Sequence, residues 1–245
     1  MTSTELLDRC IASPGEHLSS PCVGHFQAYE LGYASHGSLM NEACDVVSLR
    51  RSICDDYGIG DWPQNIDHAS IFTALHGPLE DLRHYARFRH RFCRAAPETP
   101  APQIKSILEP LRPGGELRQR PGMYLGNDAS AEHLWSLISG LCWAESDAGC
   151  PGPGTAFMTG FQSWLAARFS FARHVPWGRA LVFLSLGSSS RSLTHFWEYF
   201  DFYQRVEPPD CESSAACQIL GSIEKQFGPP SGQMEQEIRN QIAPL

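Results

Sequence analysis

The chain has 245 residues, a formal net charge of −8, and 42% hydrophobic and 11% aromatic residues. That is enough for one large or two small domains with a sizeable core, and the acidic balance argues against direct nucleic-acid binding, which wants a basic face. No run approaches the ~18 apolar residues of a membrane span, and the start, Met1 to Arg9, has neither the basic nor the apolar part of a secretory signal, so a cytoplasmic protein is expected.

In chain order, the first region predicts helices joined by Gly/Pro turns. Leu39, Met40, Ala43, Val46, Val47, Leu49, Ile53 and Tyr57 recur near a 3.6-residue period and predict an amphipathic helix stopped at Gly58. Asp67 caps a short helix through Ile71–Leu75, which Gly77 ends. Pro78 suits a first helical position, and the next helix runs Leu79–Cys93. Its acidic first turn (Glu80, Asp81) and basic last turns (Arg87, Arg89, Arg91, Arg94) match the helix dipole. Three prolines within Ala95–Pro102 cannot continue a helix. Residues 96–102 are therefore expected to link an N-terminal helical region, 1–95, to a C-terminal helical domain, 103–245. In that domain helices are expected near 103–111, 130–146, 155–170, 191–205, 212–227 and 232–242. Residues 179–186 suit a buried strand or a buried helix, and helix is preferred because no partner strand is evident. The expected fold class is all-α, two helical regions packed together without an extensive sheet.

Few residues point to chemistry. The nine cysteines contain no C-x-x-C pair and are expected to be reduced and mostly buried, Cys211 and Cys217 being the closest C-terminal pair. His76, Glu80 and His84 fall at i, i+4 and i+8, with His90 following, as a metal site on one helix face would want. Gly77 and Pro78 should take His76 off that helix, so a solvated basic helix end is expected there, with no metal and no cofactor. Gly187–Ser190 is not the G-x-S-x-G of a nucleophile elbow. Phe196, Phe200 and Tyr203, with Trp197 beside them, share a helical face and read as core; the alternative is an aromatic anchor for a partner. Acidic residues cluster at Asp55, Asp56, Asp61 and Asp67, and again at Glu198, Asp201, Glu207, Asp210 and Glu212. Solvated faces are the default, and a surface that attracts a basic protein is the sharper reading.

The most informative stretch is Leu117–Gly126, L-R-Q-R-P-G-M-Y-L-G. After Arg120, Pro121 fixes the entry, Gly122 and Gly126 permit conformations other residues avoid, and Met123, Tyr124 and Leu125 are expected to plug the core. R-P-G-M-Y-L-G resembles two unrelated things. One is the R-P-G-M-Y-I-G segment of gyrase-type ATPase domains, which also need an Asn for magnesium on the next helix and a later Asp-x-Gly-x-Gly. The helix His133–Asp147 offers Glu145 and Asp147 but no Asn, and no Asp-x-Gly-x-Gly follows, so that reading fails.

The other resemblance is to a family of small bacterial proteins in which R-P-G-M-[YF]-[LI]-G opens a compact helical domain and whose members accompany polymorphic or secreted toxins. The later pattern fits it: Phe157-Met158-x-x-Phe161-Gln162-x-Trp164-Leu165-x-x-Arg168-Phe169, then Trp177 with Ala180–Leu184, then Phe196–Tyr203. The likeness covers roughly residues 103–206. It implies an immunity protein that binds and neutralises a cognate toxin, such as a type VI secretion effector. A basic nuclease toxin is the narrower expectation, because nucleases carry basic surfaces for phosphate and this chain is acidic. The partner-binding residues would be Glu198, Asp201, Glu207, Asp210, Asp55, Asp56 and Asp61. The alternatives are an enzyme with a Cys/His or metal site between the two regions, and a non-catalytic adaptor.

Overall fold

In the computed structural model, which describes residues 1–36, 42–60, 68–95, 108–126, 128–149, 153–172 and 174–205, the chain folds as an all-α protein. Thr2 starts α1 (Ser3–Ala12) by a reciprocal cap: its hydroxyl accepts from Glu5 N while the Glu5 carboxylate accepts from Thr2 N. Proline opens the short α2 (Pro14–His17). The start of α3 (Val23–Ser35) is capped from a distance, by the fully buried Asp81 carboxylate accepting from Val23 N at 3.1 Å.

β1 (Glu42–Cys44), α4 (Val46–Tyr57), α5 (His68–Leu75), α6 (Glu80–Phe92) and β2 (Cys93–Ala95) follow. The helix predicted from Leu39 therefore starts later than its apolar period. Residues 42–44 pair antiparallel with β2, and the Asp45 side chain accepts from Ser48 N to cap α4. A cap fixes a helix start more firmly than periodicity does. The predicted end at Gly58 holds, in the left-handed conformation that glycine adopts freely. The next helix begins at Glu80 and not before, because Leu79 takes a φ of 73°.

The ribbon also corrects the expectation that the cysteines are reduced. Cys44 lies directly opposite Cys93, and the two form a disulfide. Among the described residues Cys10, Cys22, Cys54 and Cys142 are free thiols. Beside the ribbon, Arg89 of α6 donates to Glu30 of α3 at 3.2 Å and to Glu42 of β1 at 2.7 Å. Ser3 also donates to Glu30, and Thr4 N and its hydroxyl both donate to Glu42. One guanidinium thus ties α3, α6 and the ribbon, and both carboxylates reach the start of α1. Burial pushes the Glu30 carboxyl above its usual range, whereas the bonds from Arg89 and Thr4 hold Glu42 below it despite burial.

The second half contains α7 (Leu108–Leu111), α8 (Glu116–Gln119), α9 (Pro121–Leu125), α10 (Ala131–Asp147), α11 (Pro153–Phe169), α12 (Trp177–Leu184) and α13 (Ser189–Arg205). The ambiguous apolar run is helix. The turn before it is organised by Gln162, whose amide donates to Val175 O at 2.7 Å and accepts from Trp177 N at 2.8 Å. Phe196 and Phe200 are buried as core, with Trp197 and Tyr203 packed on it. Residues 96–102, the expected helices at 212–227 and 232–242, and Cys211 and Cys217 lie outside the described residues.

Two cores result. One gathers Leu6, Phe26, Tyr29, Phe72 and Leu82 from the first half; the other gathers Leu134, Phe157, Phe161, Trp177, Phe196 and Phe200 from the second. Each borrows from across the boundary, Ala144 entering the first and Ala28 the second. The join is the crossing of α3 and α10. A Cβ on Gly32 would lie 1.8 Å from Leu137 O, and one on Gly140 would lie 2.0 Å from Tyr29 O. Neither position accepts a side chain unless the helices separate.

We expect Gly140→Ala to destabilise the protein by about 1–3 kcal/mol or more, the usual cost of overpacking. Urea denaturation of the two proteins measures it. Equal midpoints would mean the crossing relaxes freely.

Candidate functional site

The R-P-G-M-Y-L-G stretch turns the chain from α8 into α9. Pro121 takes the first position of α9, where its fixed φ and missing N–H cost nothing. Leu117 and Leu125 are buried, and the Tyr124 hydroxyl donates to Glu116 at 2.8 Å. Gly126, with a φ of 79°, needs to be glycine. Gly122 does not, being ordinary exposed helix. Met123 likewise departs from expectation: it is 71% exposed instead of plugging the core, since α9 is little more than one turn long and the face it buries belongs to Leu125. Arg120 is exposed beside it.

Arg118, just before this turn, fixes it to α13. Both terminal guanidinium nitrogens donate to Asp201, at 2.7 and 2.9 Å, and the group lies 5.4 Å from the Trp197 ring centroid. The fork geometry suits a carboxylate, and it holds the Asp201 carboxyl below the ordinary range. Asp201 is thus not a free acid. Glu198, one turn earlier on α13, is exposed, as are Asp55 and Asp56 on α4. Asp61, Asp67, Glu207 and Asp210 lie outside the described residues. The structure therefore ties Asp201 to Arg118 just before the turn, leaves Arg120 and Met123 exposed in the turn and Glu198 exposed on α13, and carries Asp55 and Asp56 on a different element.

The groups weighed for catalysis hold helices instead. Glu145 accepts from Gly154 N, Thr155 N and the Thr155 hydroxyl at 3.1–3.3 Å and so caps α11. Asp147 accepts from Arg9 and from the Tyr33 hydroxyl, each at 2.7 Å. Burial pushes the Cys10 and Cys142 thiols up to about 12, far from the thiolate a nucleophile needs. Ser185 donates to Leu181 O at 2.7 Å while facing His195 Nδ1 at 2.9 Å. While its proton is bonded to the carbonyl, this serine offers Nδ1 only an acceptor oxygen. Glu42, Cys44 and Cys93 bring ligand atoms within 4.8 Å of one another, but the sulfurs are bonded together and Glu42 already accepts from Arg89 and Thr4.

His76 does precede its helix, as the Gly77-Pro78 pair predicts. The same turn folds it back onto His84, ring on ring at 3.9 Å. The Tyr57 hydroxyl lies 2.8 Å from His76 Nε2 and 3.0 Å from His84 Nδ1. Glu80 stands apart, paired with Arg83, and His90 pairs with Asp8. Tyr57 carries no signal in sequence; only the packing of α4 on α6 brings it to the histidines.

Three more histidines line the α3–α10 seam. The His25 and His133 rings meet edge to face at 4.3 Å, and His17 lies between the Tyr29 hydroxyl and the Trp143 ring. Burial lowers His25 to about 3, helped by its neighbours His133 and Arg179, and lowers His133 to about 4. No family model, curated protein or solved structure matches the chain. No helix among the described residues is long and apolar enough to cross a membrane.

The seam predicts an acid response of definite sign. His25 and His133 are neutral when folded, whereas an unfolded histidine titrates near ~6.5. Their contribution is intact above that pH and falls as pH drops below it, by about 1.4 kcal/mol per unit for each histidine. Urea titrations between pH 7 and 5 should show this loss, reduced in His133→Gln. A flat profile would mean that the seam admits the charge.

Proposed function

We propose that the protein is an immunity protein that binds a secreted bacterial toxin and occludes its working surface. The observation that carries this reading is the construction of the R-P-G-M-Y-L-G turn. Its buried residues account for folding, while Arg120 and Met123 stand exposed at and just before α9. An exposed apolar side chain among charges is the composition of an interface anchor with a polar rim. The engagement of Glu145, Asp147, Ser185 and the buried thiols in structure supports binding over catalysis.

The net charge of −8 favours a basic partner, and long-range attraction would speed the encounter. A nuclease effector of type VI secretion is the partner we favour. The reading places the protein in the cytoplasm. The Cys44–Cys93 disulfide counts against a strongly reducing surrounding, and alkylation of thiols in protein taken from cells reports its state there.

The test is co-expression with the toxin-like products encoded beside its gene, with survival and calorimetric binding as readouts. Protection by the parent protein is expected. Met123→Asp should abolish tight binding, while reversal of Glu198, Asp55 and Asp56 to Lys should slow association several-fold and flatten its salt dependence. Asp201 is left intact because its bridge to Arg118 is structural. A parent protein that neither binds nor protects against any of these products would end the immunity reading. Unchanged binding by both variants would remove this surface from it.

A further inference from the structure

We propose that the Cys44–Cys93 disulfide is a redox-modification site: a dithiol reductant opens it, and the opening lets β1 and the start of α4 leave the body of the protein. The site is independent of the immunity reading. The step is thiol–disulfide exchange. A thiolate of the reductant attacks Cys44 Sγ, the S–S bond breaks, and Cys93 leaves as a thiolate that takes up a proton. The second thiol of the reductant then attacks its own sulfur in the mixed disulfide and frees Cys44. One protein disulfide and one dithiol become two protein thiols and one reductant disulfide, with the two protons of the dithiol ending on Cys44 and Cys93.

The surroundings set the direction of attack. Cys44 is half-buried, whereas Cys93 is 7% exposed. An incoming thiol therefore reaches the Cys44 side first, and disulfides open to solvent are the ones that exchange readily. On the other side, the Arg94 guanidinium donates to Cys93 O at 2.7 Å and to His90 O at 3.1 Å. A cation fixed beside Cys93 favours its departure, because positive charge stabilises a leaving thiolate. The Glu42 carboxylate also stands within 4.8 Å of both sulfurs, and its charge is engaged by Arg89 and Thr4.

What the bond holds is specific. β1 and β2 have three residues each, and a two-stranded ribbon this short does not persist by itself. Besides the disulfide and the strand pairing, β1 is held by Glu42 to Arg89 and Thr4, and the start of α4 by Asp45 N–H donating to Phe92 O at 3.1 Å. Further along, α4 is anchored by the buried Leu49 and Ile53 and by Tyr57 against Phe72. Reduction therefore frees residues 42–48 and stops there. Glu42 departs without stranding a charge. Arg89 bonds both Glu30 and Glu42, so the release leaves one guanidinium with one carboxylate and no buried ion unpaired.

The full-length protein is held under native conditions in dithiothreitol, a dithiol. Alkylation with mass mapping follows Cys44 and Cys93, and amide hydrogen exchange by nuclear magnetic resonance is the second readout. Both cysteines should become alkylated together without urea. The Thr4 and Asp45 amides, whose acceptors are Glu42 and Phe92 O, should then exchange roughly tenfold faster or more, while those of the buried Ile138 and Leu141 in α10 change by less than about twofold. Cys44→Ser/Cys93→Ser should show the faster exchange with or without dithiothreitol. Thiols that appear only after urea unfolds the chain overturn the proposal. So does reduction that leaves Thr4 and Asp45 protected, or that speeds exchange in α10 equally. If the double variant does not fold, wild type with and without dithiothreitol decides alone.

Discussion

Backbone meets backbone where α3 crosses α10, and the rest of the structure is arranged around that contact. Two glycines, one on each helix, remove the side chains that would hold the axes apart. Contacts rise together along both helices, from His25 against His133 to Tyr33 against Asp147, so the pair runs in the same sense. With the axes this close, His25 and His133 beside the crossing lose water. The seam consequently contains imidazoles kept neutral by burial, and at its exposed end the bonds from Arg9 and Tyr33 hold the Asp147 carboxyl below its usual range. Gly178 repeats the device on a smaller scale, letting α12 approach the start of α10.

Much of the helical plan was legible because apolar period and caps agree. The helices around Leu134, Phe161 and Phe196 fall within a residue or two of expectation, and Gly58 ends α4 as a left-handed terminator should. Expectation failed where a local rule met a distant partner. Leu39 to Ala43 continue a helical period, but Cys44 has a mate at Cys93, 49 residues away, and Glu42–Cys44 extends as a strand to meet it. Met123 looked like core because it is apolar, and nothing local says that a helix of five residues buries only one face.

The site was less legible for the same reason. Arg118 and Asp201 are 83 residues apart, so a run of acids around Asp201 reads as solvated when one of them has a guanidinium waiting. His76, Glu80 and His84 invite a helical-face argument whose premise the Gly77-Pro78 pair removes. The turn then restores two of the three residues by a route periodicity does not describe, and supplies Tyr57 from another helix. Spacing along one element shows which side chains share a face. It does not show which faces meet.

The bond from the Tyr33 hydroxyl to Asp147 joins residues 114 positions apart, and this bears on how the chain is made. During synthesis α3 leaves the ribosome long before α10 exists. At about 5–20 residues per second the wait is on the order of ten seconds. Through that interval Gly32 leaves a bare groove in α3, and Tyr29, Tyr33 and His25 have no seam to enter. The nascent first half must persist with one face unfinished, or wait for assistance, until the ribosome has passed residue 147. A gene cut between the halves would then encode two fragments that complete each other and are each left with an open helix face.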